Sequence, residues 1–184
     1  LNAAALAEGL GVSGQTIARY LDLLVDLMLV RRLAPWHENA GKRLVKSPKI
    51  YVRDSGLTHA LLGLGTMEAL LGHPVVGGSW EGFCLETLIA EAPSGTEAFF
   101  YRTSAGAELD LVLRLPSGFI FAIEIKRTAL AKVSQGFHLA AADINADQRI
   151  LVYAGDREVP FGGVARAMPL SAAVRKLQGE APAR

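Results

Sequence analysis

The chain has 184 residues, 51% hydrophobic and 20% charged, with a formal net charge of +1. This composition excludes a disordered chain, and the near-neutral charge excludes a strongly basic nucleic-acid-binding tail. No apolar run approaches the roughly 18 residues of a membrane span, no signal peptide is visible, and the single Cys84 excludes an internal disulfide. A cytoplasmic chain with no membrane partner is expected, and a start at Leu1 without Met suggests part of a longer protein. Charge is uneven: residues 1–64 carry eight Lys/Arg against five Asp/Glu, and the remainder eleven against thirteen.

In chain order, "LNAAALAEGLGVSGQTIARYLDLLVDLMLV" places Ala5, Leu6 and Leu10, then Ile17, Tyr20, Leu21 and Leu24, at helical spacing. "GLGVSGQT" breaks the pattern, and Ser13 is the expected N-cap of the second helix. That stretch also mimics a phosphate loop, but Gln15 stands where the lysine is required and a helix precedes it, so ATP binding there is excluded. Two strands around a polar loop at 37–42 follow in "LVRRLAPWHENAGKRLVKSPKIYVRD". Helix, turn, helix and hairpin fit a winged helix in domain 1–64. Its DNA-contacting residues would be Gln15, Thr16 and Arg19, backed by Lys42, Arg43 and Lys46 from the wing.

Asp54 is the expected N-cap of a short helix in "DSGLTHALLGL". The glycine-rich stretch 63–79 reads as a linker, and "WEGFCLETLIAEA" as a helix that opens a second domain, 65–184. There Glu81 falls inside the apolar arc of Trp80, Cys84, Leu85, Leu88 and Ile89, whereas Glu86 and Glu91 read as solvated. "EAFFYRT", "AELDLVLRL" and "FIFAIEIKR" read as strands, followed by a helix, a strand, and a last strand and helix. The order describes an α/β sandwich with a mixed central sheet flanked by helices.

Chemistry concentrates in "AELDLVLRLPSGFIFAIEIKRT". Alternation puts Glu124 and Lys126 on one face of a strand, about 7 Å apart. An antiparallel partner beyond the Pro116-Ser117-Gly118 turn brings Asp110 near Glu124. Two carboxylates at that range repel unless a cation joins them, and hard oxygen ligands favour Mg²⁺ or Mn²⁺. Glu81 would add a third ligand. His37, His59, His73 and His138 are scattered without metal-ligand spacing, and Cys84 reads as a small core residue.

An acid on one strand, then Glu124-Ile125-Lys126 on the next, with Glu81 on the preceding helix, resembles the active-site signature of the PD-(D/E)xK, or restriction-endonuclease-like, nucleases. The resemblance implies a restriction-endonuclease-like fold for 65–184 and metal-dependent phosphodiester hydrolysis in DNA or RNA. Asp110, Glu124 and Glu81 would hold the metal, and Lys126 would position the attacking water. Gln135 matches a further Gln-x-x-x-Tyr motif of some members, but Leu139 replaces its tyrosine. More broadly, "KSPKIYVRDSGLTHALLGL", "GGSWEGFCLETL", "GAELDLVL" and "AIEIKRT" resemble the carboxy-terminal region of a family of predicted AAA+ ATPases of archaea and bacteria. That resemblance implies an upstream ATPase domain as partner in the same chain and as the place where ATP binds. A nucleic acid is the other expected partner, and homo-oligomerisation is left open. The alternative reading is a non-catalytic DNA- or protein-binding module on an inactive nuclease-like fold.

Overall fold

The chain opens with two helices, α1 (Ala3–Leu10) and α2 (Gly14–Asp26). Gly11, at φ +63°, makes the turn between them, and the Ser13 side chain accepts from the Thr16 N–H at 3.1 Å. Ile17 is the buried anchor of α2. This is a computed structural model, and it describes residues 3–37, 44–45, 47–128, 133–160 and 165–180. Lys42, Arg43 and Lys46, read from the sequence as wing residues, lie outside the described residues.

β1 (Val30–Pro35) and β2 (Lys49–Val52) then pair antiparallel, with Arg31 opposite Tyr51. The hairpin does not stand apart. β1 also pairs in parallel with β3 (Glu97–Arg102), through Ala34–Phe99 and Pro35–Phe100. The two strands read from the sequence as a wing are therefore one edge of a mixed sheet that has eight strands among the described residues.

Asp54 caps α3 (Ser55–Leu61) by accepting from the N–H groups of Gly56 and Leu57, at 2.7 and 3.2 Å. The stretch read as a linker is instead largely helical. It forms α4 (Met67–Leu71) and the first turn of α5 (Val76–Glu91), which starts ahead of Trp80. Gly77 and Gly78 each cost about 1 kcal/mol of helix propensity. Complete burial of Leu85 and Leu88 further along the same helix, at about 1.5–3 kcal/mol each, outweighs that cost. Gly82 lets the helix approach β2: a Cβ there would already touch the Tyr51 ring at 3.6 Å.

The centre of the sheet is β3, β4 (Glu108–Arg114), β5 (Ile120–Lys126) and β6 (Gln148–Tyr153). α6 (Gln135–Asp143) joins β5 to β6, which run parallel, as a helical crossover allows. β8 (Ala165–Met168) and the two-residue β7 (Val159–Pro160) complete the far edge, and α7 (Leu170–Gly179) closes the chain. Apolar residues on both faces of β4 and β5 are explained by helices on both sides. Leu111, Leu113, Phe121, Ile123 and Ile125 pack with Leu85, Leu88 and Leu177 of α5 and α7. Val112 and Ala122 pack with Phe137, Ala140 and Ala141 of α6.

Glu86 corrects the sequence reading. It is not solvated: its side chain is 12% exposed and held by Arg31 of β1 and Arg53, the latter at 3.0 Å. A charged clasp thus ties the β1–β2 hairpin to α5. Glu91 accepts from Gln178 of α7 at 2.9 Å.

Candidate active site

Among the described residues, Asp110 and Glu124 are the two buried charged residues, 8% and 6% exposed. Both line one cleft of about 420 Å³ at the end of the sheet, with Glu81, Glu108, Lys49, Lys126, Gly106 and Ser134. The four acids and the ammonium of Lys126 therefore come together from β4, β5 and α5, and the three sequence-predicted acids are among them.

Two local features build the cleft. The β4–β5 ladder ends at Leu111–Ile123, and the Asp110 Oδ2 then takes the Ile125 N–H at 2.9 Å in place of a backbone carbonyl. Between β3 and β4 the register slips. Phe99 to Tyr101 spans two steps on β3, while their partners Val112 and Leu109 are three apart on β4. That slip is a β-bulge in β4 at Asp110 and Leu111, a device that re-aims a side chain. Asp110 accordingly meets Lys49 and Glu81, which reach it from β2 and α5, whereas Glu124 alternates with Ala122, which packs on α6. The acids converge on the cleft by the bulge and the parted strand ends, not by simple alternation.

The ion pairs divide into two groups. Lys126 Nζ binds Glu124 Oε1 at 2.9 Å, while Glu124 Oε2 is buried without a hydrogen-bond partner. Lys49 Nζ lies 2.9 Å from Glu108, 3.4 Å from Asp110 Oδ1 and 3.6 Å from Glu81 Oε1. Tyr51, two residues on from Lys49 on β2, donates its hydroxyl to Glu81 at 2.5 Å. Burial alone would lower the Lys49 pKa, but the carboxylates of Asp110, Glu81 and Glu108 together raise it. Lys126 is raised likewise against its burial, by its bond to Glu124 and the neighbouring acids. Burial, and then the Glu81 charge, push Asp110 up from 3.8 to about 6, although Lys49 and the Ile125 N–H pull the other way. Burial next to Glu81 also holds the Tyr51 phenol protonated, well above its ordinary value.

Four carboxylates and two ammonium groups leave the ionised cleft with two negative charges, those of one divalent cation. The donors are hard oxygens, and Glu124 Oε2 is a buried acceptor with nothing to accept. In donor type and charge the residues fit Mg²⁺ or Mn²⁺. They do not form a closed shell: among the described residues no three His, Cys, Asp or Glu side chains are close enough to hold an ion. The Lys49 ammonium stands among three of the acids instead.

The other sequence candidates lie elsewhere. Gln15 and Arg19 are exposed on α2, and Thr16 is half-buried with its hydroxyl 2.9 Å from that of Ser13; none lines the cleft. His59 bonds Ser79 at 2.5 Å, and His73 accepts from the Val75 N–H. Cys84 is fully buried, and burial pushes its thiol up to about 12. Gln135, Leu139 and Asp143 line a neighbouring hollow of about 510 Å³ with Gly106. Sequence reasoning missed Lys49, Tyr51 and Glu108. The signals available were the i, i+2 spacing of Lys49 and Tyr51 on one strand, and of Glu108 and Asp110 on another.

No helix among the described residues is long and apolar enough to cross a membrane. Two mycobacterial proteins resemble the chain: the uncharacterized protein Mb2031c of Mycobacterium bovis and the uncharacterized protein Rv2008c of Mycobacterium tuberculosis. Each is 44% identical over 167 residues, which is 90% of this chain but 37% of the relative. The chain therefore spans little more than a third of the length of these relatives. No solved structure matches it significantly. Residues 1–68 match a domain of unknown function, DUF8612. Residues 76–173, which carry all four cleft acids and Lys126, match the domain of unknown function DUF4143, and the chain belongs to that family.

Proposed function

We propose that the cleft is a metal-dependent nuclease site of the PD-(D/E)xK kind, hydrolysing a phosphodiester in DNA or RNA. The observation that carries this reading is Glu124: its Oε2 is buried and unpartnered beside Lys126, in the same cleft as Asp110 and Glu81. A buried carboxylate oxygen without a protein partner needs a water or an ion to complete it, and a divalent cation would do so here. Asp110 Oδ1, Glu124 Oε2 and Glu81 would draw together to hold Mg²⁺ or Mn²⁺, since they do not yet form a closed shell. When bound, the ion would polarise a phosphoryl oxygen and lower the pKa of a coordinated water. Lys126, tethered to Glu124, would position the attacking water and offset charge on the phosphorus. The water oxygen would bond to phosphorus as the ester P–O bond breaks, and the leaving oxygen would take a proton.

The ordering of elements around these residues supports a restriction-endonuclease-like assignment: helix α5, strands β3, β4 and β5, then α6 and β6. Two helices and a hairpin before them support the winged-helix assignment, with the hairpin fused to the large sheet. In this reading the chain is the nuclease-like end of a protein whose ATPase domain lies elsewhere in a longer polypeptide. The greater length of the mycobacterial relatives is compatible with that arrangement.

A second reading, a binding module with an inactive site, is favoured by one observation: Lys49 already engages three of the four acids. Incubation with single- and double-stranded DNA and RNA, with Mg²⁺ or Mn²⁺, separates the two. The nuclease reading predicts metal-dependent cleavage that falls at least about 100-fold in Glu124→Gln and Lys126→Met. Cleavage by both variants as fast as by the unaltered chain, or none on any substrate, favours the binding module.

A further inference from the structure

The acids of the cleft lie in the stretch matched by DUF4143, but Lys49 and Tyr51 lie in the stretch matched by DUF8612. The site is therefore composite, and its central cation comes from the amino-terminal part. Lys49 is half-buried among the cleft acids. Its side chain is only 21% exposed, its Nζ lies 5.7 Å from the Phe100 ring centroid, and three carboxylates lie within 3.6 Å of that nitrogen.

Asp110 Oδ2 already accepts from the Ile125 N–H, so Oδ1 is the oxygen less committed to the protein. Oδ1 is the oxygen that Lys49 approaches at 3.4 Å. The nearest Glu81 oxygen, Oε1, is the one shared by Lys49 and Tyr51. Oxygens 2.9–3.6 Å from Nζ are at ammonium distance. Mg²⁺ draws its oxygens to about 2.1 Å, so an ion bound by these same oxygens would stand close to the ammonium and be repelled by it. By contrast Lys126, the other lysine of the cleft, binds Glu124 Oε1 and leaves Oε2 clear.

We propose that Lys49 is a tethered competitor of the divalent cation: its ammonium occupies the place among Asp110 and Glu81 that the metal takes, and it withdraws toward Glu108 when the metal binds. This rests on the metal-site reading of the cleft and adds a control on it, exerted from β2. Glu108, at 2.9 Å, is the nearest anion and gives the displaced ammonium a partner that keeps it at the cleft wall. The amino-terminal part then sets how readily the acids take up metal.

The test is Mn²⁺ binding, read by calorimetry and by the electron paramagnetic resonance of free Mn²⁺, in the unaltered chain, Lys49→Gln and Lys126→Gln. Each variant removes one positive charge from the cleft, and circular dichroism checks its fold. Lys49→Gln is expected to bind Mn²⁺ at least about tenfold more tightly than the unaltered chain, and more tightly than Lys126→Gln. Tighter binding of equal size in both variants reduces the effect to net charge and overturns the proposal. Unchanged or weaker binding in Lys49→Gln, with the unaltered chain binding well, overturns it while leaving the metal site intact. No binding in any of the three overturns both. If Lys49→Gln does not fold, ¹⁵N-lysine NMR of the unaltered chain decides: saturating Mg²⁺ shifts the Lys49 Nζ resonance, identified by its loss in Lys49→Arg. An unmoved resonance at saturation overturns the proposal.

Discussion

Asp110→Asn is expected to stabilise the metal-free protein at neutral pH. The Asp110 carboxyl titrates near 6 when folded and near 3.8 in the ordinary state taken for the unfolded chain. Below both values the acid is protonated in each state, and its charge costs nothing. As pH rises from 3.8 toward 6, the unfolded chain loses the proton first and ionisation favours unfolding. Stability therefore falls through that window and levels off above it. At about 1.36 kcal/mol per pH unit, the difference amounts to about 3 kcal/mol at pH 7.5. Asparagine resembles the protonated acid, and its carbonyl still accepts from the Ile125 N–H, so the variant avoids the loss. Urea denaturation in EDTA should show the variant and the unaltered chain nearly equal at pH 4, and the variant ahead by about 1–2 M in midpoint at pH 7.5. A variant no more stable at pH 7.5 would refute the claim that burial and the Glu81 charge make ionised Asp110 a burden on the metal-free fold. The burden has a functional meaning, since active sites hold groups that cost stability until a ligand compensates them.

Glu86→Ala leaves the guanidinium groups of Arg31 and Arg53 without their shared carboxylate, and should destabilise the chain by about 3 kcal/mol in urea denaturation. A cost below about 0.5 kcal/mol would show that the clasp between the hairpin and α5 is only a surface ion pair. If α2 meets DNA, the Gln15→Ala/Arg19→Ala double variant should weaken salt-dependent binding about tenfold in fluorescence anisotropy. Unaltered affinity removes that face of the helix from the interface.

The strands that carry the cleft were readable because burial on both faces leaves an apolar run, and a charge within such a run is conspicuous. Asp110, Glu124 and Lys126 stand out for that reason. The caps at Ser13 and Asp54 were readable because the cap bond is made within three residues. What stayed hidden depends on contacts distant in sequence. Glu86 looks like any flanking acid until Arg31, 55 residues away, arrives from the hairpin. Lys49 is a commonplace strand lysine until the fold carries it to Asp110, 61 residues on. Gly77 and Gly78 argue locally for a linker, and only the burial of residues further along α5 overrides them. The bulge at Asp110 has no glycine or proline to announce it; it is visible only as the slip between β3 and β4.

In the nuclease reading the cleft gathers its acids to hold a divalent cation. A crystal of the Lys49→Gln chain soaked in Mn²⁺ and measured at the manganese absorption edge tests it directly. An anomalous peak is expected within about 2.3 Å of both Asp110 Oδ1 and Glu124 Oε2. A cleft without such a peak at saturating Mn²⁺, or a peak bound only to surface acids elsewhere, would contradict it.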